Sequence, residues 1–303
     1  CRPMPNGILV IDKPAGWTSM DVCAKVRGMF HEKRVGHAGT LDPMATGVLP
    51  VFVGRATRAV EFASDSDKEY IAGLKLGVIT NTQDTTGEVL EERPVSVDRD
   101  CLRSALAKFQ GDILQVPPMY SAIKRNGKKL YELARKGQEV DRPPRKVCIH
   151  ALELLDEDGA DALSQPERRD YTLRVRCSKG TYVRTLCHDI GQALGCGGCM
   201  SALRRTEAAG FSLADAVTLE EVQAAADRGE AESLLLPVDA YFAGRPDLVL
   251  KPEAEKKLRN GMTLVIPSLP DGEYRVYGGD RTFLALCRAD RGRLVTVKSF
   301  FPV

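Results

Sequence analysis

The chain reads as an α+β protein in two parts, and three observations predict this. Strand-like and helix-like runs are mixed without the regular βαβ alternation of a parallel sheet. Capping residues and glycine stops mark off short, separate helices. Beyond about residue 245, short alternating segments separated by Gly-Asp and Arg-Gly turns dominate. The expected organisation is a large unit over 1–244 and a small, mostly β module over 245–303. At about 55–60 residues, that module is within the size that folds alone.

The elements follow in chain order. Gly7 to Asp12 is a continuous apolar strand that stops at Lys13-Pro14. Thr18-Ser19-Met20-Asp21 opens a helix as a capping box with Asp in the usual Glu place, and Val22, Val26, Met29 and Phe30 mark its inner face. Val48 to Val53 is a second apolar strand, and Arg55 to Ala63 a short helix. Lys68 to Thr80 alternates, with Tyr70, Ala72, Leu74, Leu76 and Val78 on one face. Asn81 to Gly87 is a polar turn. Asp98 caps a helix carrying Leu102, Leu106 and Phe109. Val116-Pro117-Pro118-Met119 breaks the pattern, and Gly127 to Gly137 holds a short basic helix over Leu130, Leu133 and Ala134. Tyr171 to Cys177 alternates as another strand. Ser178-Lys179-Gly180 turns into a helix with Val183, Leu186, Ile190 and Leu194 inward and Gly195 at its end. Thr218 to Glu221 is a further capping box. After a boundary at Phe242 to Asp247 come a helix over Pro252–Asn260 and strands at Thr263–Ile266, Glu273–Tyr277, Thr282–Cys287 and Leu294–Phe300.

Composition narrows the class. The 303 residues are 43% hydrophobic and 28% charged, ordinary for a soluble globular protein. No apolar run approaches the roughly 20 residues that span a bilayer, and Cys1-Arg2-Pro3-Met4 opens no secretory pattern, so a cytoplasmic protein is expected. Nine scattered cysteines argue for reduced thiols over a disulfide scaffold. Cys196 and Cys199 form one CxxC, with Cys187 and His188 nearby. Zinc takes about four ligands, so two incidental thiols in a glycine-rich loop are preferred to a metal site, and no cofactor is expected. The net charge of +2 hides local asymmetry. Nine Lys/Arg against three acids fall between Lys124 and Lys146, whereas Val147 to Glu167 holds six acids and no Lys/Arg. The basic block suits a polyanion, or is a solvated helix face.

Gly36-His37-Ala38-Gly39-Thr40-Leu41-Asp42-Pro43-Met44-Ala45-Thr46-Gly47-Val48-Leu49 is the most informative stretch. Its glycines permit backbone angles closed to other residues. Pro43 pushes Asp42 towards extended geometry and has no amide of its own to bond the carboxylate. The residues alone leave two readings open, a fixed catalytic carboxylate or an Asp-Pro surface turn. The fourteen residues also resemble the GHAGTLDPxATGVL signature of the TruB-type tRNA pseudouridine synthases. That resemblance implies a pseudouridine synthase core (a mixed sheet with surrounding helices), a C-terminal PUA-like β-barrel that binds RNA, and Asp42 as nucleophile.

Further matches run along the chain. Gly180-Thr181-Tyr182-Val183-Arg184-Thr185-Leu186 resembles GTYxRxL, which implies that Arg184 pairs with the nucleophile. A carboxylate in a closed pocket needs such a partner, and the forked, permanently charged guanidinium suits it; the plain alternative is an exposed first-turn arginine. Lys68-Glu69-Tyr70 resembles the segment whose Tyr stacks on the target base, although Tyr70 also fits a core position. Tyr182 is a second pocket-wall candidate. By the same resemblance His37 inserts where the flipped base leaves the stack, Lys13 of Asp12-Lys13-Pro14 lies near the site, and Arg204 of Leu203-Arg204-Arg205-Thr206 contacts phosphate. Ser121 to Arg135 resembles a thumb over about 121–146 that closes on RNA, with Lys124, Lys128 and Arg135 as its contacts.

The activity so implied is isomerisation of a uridine in the T-loop of tRNA, with the T-arm stem-loop as partner, no small-molecule cofactor, no membrane, and a monomer. Competing readings are a non-catalytic RNA-binding or tRNA-folding protein on the same scaffold, a guide-RNA-dependent relative, and an Asp-nucleophile hydrolase. The last lacks a second acid within the motif.

Overall fold

The computed structural model describes residues 3–63, 65–121, 123–155 and 169–302. Most of the acid run expected after Val147 (156–167) and Cys1 lie outside them. The strands are β1 (Gly7–Lys13), β2 (Val35–His37), β3 (Thr46–Val53), β4 (Lys68–Leu76), β5 (Val78–Thr80), β6 (Val89–Glu92), β7 (Gly111–Gln115), β8 (Lys124–Arg125), β9 (Lys128–Lys129), β10 (Arg145–Leu155), β11 (Asp170–Cys177), β12 (Gly198–Ala208) and β13 (Phe211–Ser212), then β14 (Asp247–Val249), β15 (Leu264–Val265), β16 (Gly272–Tyr277), β17 (Phe283–Asp290) and β18 (Arg293–Ser299). The helices are α1 (Ser19–Phe30), α2 (Val60–Ala63), α3 (Arg99–Phe109), α4 (Leu130–Arg135), α5 (Val183–Leu194), α6 (Leu219–Asp227) and α7 (Pro252–Arg259).

One mixed sheet organises the first part, in the order β1-β3-β12-β4-β11-β10-β7, with β2 on β3 and β13 on β12. Every pairing in it is antiparallel except β3 with β12, where Arg204 faces Thr46 and Arg205 faces Gly47. The apolar faces of α1 and α5 close a core with Leu9, Ile11, Leu49, Leu74 and Leu173. Burying that surface is the main driving force for the fold. The Thr18 capping box forms as expected, with Asp21 bonding back to the Thr18 amide.

Three expectations need correction. Lys68 to Thr80 is not one strand. Gly77 has φ +82°, and a Cβ there would stand 2.7 Å from the Arg93 carbonyl, so the chain turns and β5 pairs with β6 instead. Arg55 to Ala63 is a 3-10 helix over Gly54–Ala59 running into the single turn α2. The C-terminal sheet, ordered β14-β16-β17-β18-β15, is open: its edge strands β14 and β15 are not paired to each other, so it is not a closed barrel. Its core of Leu250, Leu258, Val276, Leu284 and Leu294 is partly supplied by α7. A second cluster joins the two parts, with Phe52 and Phe242 packed together with Leu286 and Phe300.

Among the described residues, no helix is long and apolar enough to cross a membrane. The eight described cysteines are free thiols. Cys196 and Cys199 are both buried, and burial pushes the Cys199 thiol up to about 11. Among the described residues, no three His, Cys, Asp or Glu side chains group so as to hold a metal ion.

Candidate active site

The loop between β2 and β3 presents Asp42, and buried groups from three directions fix its backbone. Ser19, at the start of α1, accepts the Leu41 amide at 3.0 Å and donates back to the Leu41 carbonyl at 3.2 Å. The Pro43 carbonyl accepts from the Gly16 amide at 2.8 Å and from the Lys13 ammonium at 3.3 Å. Arg205 donates to the carbonyls of Gly39 (2.9 Å) and Val48 (2.8 Å) on either side. Gly47 has φ +106° and lies so close to Arg205 that a Cβ would stand 2.1 Å from its carbonyl oxygen. Only glycine serves there. The loop is therefore set before any substrate arrives, yet the Asp42 side chain stays 40% exposed.

Helix α5 brings the positive partner. Arg184, in its first turn and buried, sets Nε 3.1 Å from Asp42 Oδ2. Its remaining nitrogens donate to the carbonyls of Tyr120 (2.8 Å) and Thr82 (3.5 Å). The Thr82 carbonyl is placed by the loop after β5, which folds around Asp84. That buried carboxylate accepts from Thr82 Oγ1 (2.7 Å), the Thr86 amide (3.0 Å) and Thr86 Oγ1 (2.6 Å).

Tyr70, on β4, lies buried between these charges. Burial pushes its phenol up, against the opposing pull of the charge and hydrogen bond of Arg205. Arg205 is itself 1% exposed, and burial holds it below the usual guanidinium range. His37 is half-buried at the end of β2. Burial first, and then the Arg205 charge, hold it below the ordinary imidazole value, so it is neutral at pH 7. Its Nδ1 has no hydrogen-bond partner. Together these groups form a site with one half-exposed carboxylate, a guanidinium fixed against it, a neutral phenol and a neutral imidazole. Such a site offers a nucleophile held in place and aromatic surface for a planar ring.

Comparison with known proteins gives this arrangement a family. Residues 27–183 match the N-terminal domain of the TruB family pseudouridylate synthases, and residues 184–243 match the tRNA pseudouridylate synthase B C-terminal domain. The chain belongs to the TruB family. The tRNA pseudouridine synthase B of Cupriavidus metallidurans is 43% identical over 297 residues, covering 95% of this chain and 92% of that protein. The enzyme of the same name from Ralstonia nicotianae is 47% identical over 275 residues, covering 90% and 86%. Among solved structures, a chain in the crystal structure of a Cbf5-Nop10-Gar1 complex superposes with a TM-score of 0.73 at 27% identity, over 98% of this chain and 85% of that one.

Within this TruB-family site, the structure brings together Asp42 and Arg184, with Tyr70 and His37 gathered around Arg205. Tyr182 stands half-buried at the start of α5, its phenol pushed up by burial. Two other residues, Lys13 and Arg204, make contacts within the protein. Lys13, expected near the site among the residues that hold RNA, is 0% exposed and donates to the carbonyls of Pro14, Trp17 and Pro43, so it lies beside the Asp42 loop and supports it. Arg204, expected on phosphate, pairs with Asp12 through two bonds of 3.1 and 3.0 Å. Arg205, next to it, is the residue that organises the site. Lys124, Lys128 and Arg135 lie exposed on the β8–β9 ribbon and α4, away from the Asp42 loop in sequence and joined to it through Tyr120 and Arg184. Arg135 and Lys129 flank the Tyr131 ring at 5.2 and 5.5 Å.

Sequence reasoning passed over Ser19, Asp84 and Arg205. Each lay in a quoted motif or turn. Nothing local marks a serine inside a capping box, or one of two adjacent arginines, as the group that bonds a distant loop.

Proposed function

We propose that this chain converts a uridine in the T-loop of tRNA into pseudouridine, as a monomer and with Asp42 as the nucleophile. The observation that carries the proposal is Asp42, half-exposed on a fixed loop with the Arg184 guanidinium 3.1 Å away. Its conjugate is a TruB-family fold whose relatives are named tRNA pseudouridine synthase B.

The chemistry needs little else. The bond from C1′ to N1 breaks and the uracil turns. C5 then bonds C1′, the C5 proton leaves, and N1 ends protonated, so atoms and electrons balance without an oxidant. Arg184 serves to orient the Asp42 carboxylate and to offset its charge as the site closes. Tyr70 supplies a neutral ring against the turning uracil, and neutral His37 the surface that takes the vacated stacking place. Flipping the base out costs a few kcal/mol, and the exposed cations Lys124, Lys128 and Arg135 offset this by gripping phosphate.

The likeness to a chain of the Cbf5-Nop10-Gar1 complex favours a second reading, a catalytic subunit of a guided ribonucleoprotein. Identity of 43–47% to the tRNA enzymes against 27% to that chain supports the stand-alone reading. One assay separates the possibilities: tritium release from a bare tRNA transcript labelled at uridine C5, with wild type and Asp42→Ala side by side. Release by wild type and none by the variant is expected. No release by either, with RNA binding intact, would leave an RNA-binding protein, and release only with an added guide RNA would favour the guided reading.

A further inference from the structure

Helix α5 carries Arg184 at its second position but begins without a cap of its own. Its N-cap residue is Tyr182, whose side chain makes no capping bond. The first amides of a helix have no partner within the helix, and a buried one left open is costly. Gln115, the last residue of β7, supplies the partner from 67 residues away. Its Oε1 accepts the Tyr182 amide at 3.0 Å, and its Nε2 donates to the Tyr182 carbonyl at 3.2 Å. The same carbonyl accepts the first helical bond from the Leu186 amide at 3.0 Å. Gln115 is 2% exposed, so water cannot replace it.

We infer that Gln115 is a positioning residue for the isomerisation: its side-chain amide pins the backbone of Tyr182, the uncapped N-cap residue of α5, and so sets the direction in which Arg184 meets Asp42. The inference rests on the isomerase reading above. Beyond Arg184, Thr185 Oγ1 donates to Gln83 Oε1 at 2.8 Å, so Gln115 is the polar anchor on the N-terminal side of Arg184. The Arg184 guanidinium is planar and rigid, so a small turn of the first helical residues carries Nε away from Asp42 Oδ2. Gln115 also immediately precedes the Val116–Ser121 stem, whose Tyr120 carbonyl is the other strong acceptor of Arg184. Both ends of that stem therefore hold the first turn of α5, and the basic arm grows from its far end. The shape of the amide matters because it accepts and donates at once from two separate atoms on one rigid plane, and Asn is one methylene too short to reach from the same backbone.

The test is a coupling experiment on the full chain, using single-turnover tritium release from C5-labelled tRNA transcript. Gln115→Met keeps the length and removes both hydrogen bonds. The expected result is a fall in rate of about tenfold, in keeping with the sensitivity of such sites to small displacements, with the transcript Kd changed less than about twofold. In an Arg184→Lys background the same substitution should cost less than about threefold, because the residue that Gln115 positions is already gone. An unchanged rate for Gln115→Met would overturn the inference. So would an equal loss in both backgrounds, or a loss confined to Kd. Gln115→Glu keeps the acceptor for the Tyr182 amide and should outperform Gln115→Met; if Gln115→Met does not fold, a Gln115→Glu protein with a wild-type rate in the first background overturns the inference and a loss that shrinks in the Arg184→Lys background supports it. Absence of release by wild type would defeat the isomerase reading itself, an outcome distinct from all of these.

Discussion

The Asp42 loop and the basic arm from Lys124 to Arg135 hold their functional groups in opposite ways. Around Asp42, the carbonyls or amides of Gly39, Leu41, Pro43 and Val48 each meet a partner from another part of the chain, and those partners, Ser19, Lys13 and Arg205, are buried. In the arm, two strands of two residues each and a six-residue helix carry their cations into solvent, anchored chiefly by Leu130 and Leu133. On the function proposed above, the difference follows from the work. A carboxylate that must meet one carbon atom gains from being fixed beforehand. A phosphate grip acts through charge over several ångströms and tolerates looseness.

That comparison can be broken first at Arg205. Arg205→Met leaves the Gly39 and Val48 carbonyls without their donor. It should lower stability by about 3 kcal/mol, read by urea denaturation, and should collapse the activity. A stable, active variant would show that the loop does not depend on its buried support. Next comes Ser19→Ala, which strands the buried Leu41 amide. A loss of about 2 kcal/mol and a roughly tenfold slower single turnover are expected, with the transcript Kd unchanged.

The arm should respond in the opposite sense. Replacing Lys124, Lys128 and Arg135 together by Ala should raise the transcript Kd about tenfold and reduce the salt slope of binding by about two to three. Stability should move by less than about 0.5 kcal/mol. An unfolded or slow-reacting variant with intact binding would erase the distinction between the two regions.

The smallest effect sharpens the fixed side. Asp189, in α5, is half-buried, and burial pushes its carboxyl up to about 6 from 3.8. The folded state therefore keeps a proton that the unfolded chain releases. Its contribution to stability is fully present below about 3.8 and is lost as the pH rises through about 6. Asp189→Asn should raise the melting midpoint by a few degrees at pH 8 and leave it unchanged near pH 3.5.

Local chemistry in the sequence determined much of this protein. The capping boxes at Thr18 and Thr218 form where they were read, because the bonds involved span three residues. The alternating strands around Tyr70 and Leu173 stand in the sheet. The middle of the glycine-rich segment, 38–45, is a loop as its composition suggests, while its ends lie in β2 and β3. The arginine and aspartate singled out by motif meet as an ion pair. Tertiary structure alone decided the rest. Strand β12, at the centre of the sheet, was not legible because bulges between Met200 and Ala202 and between Arg205 and Glu207 shift its alternation. A similar shift between Ile149 and Ala151 hid β10. Arg204 and Arg205 are neighbours of the same type, yet one pairs with Asp12 at a half-exposed edge and the other is buried under the Asp42 loop. A strand sends adjacent side chains to opposite faces, so which arginine faces the site depends on register and on the layers packed above and below it, and no local pattern encodes those.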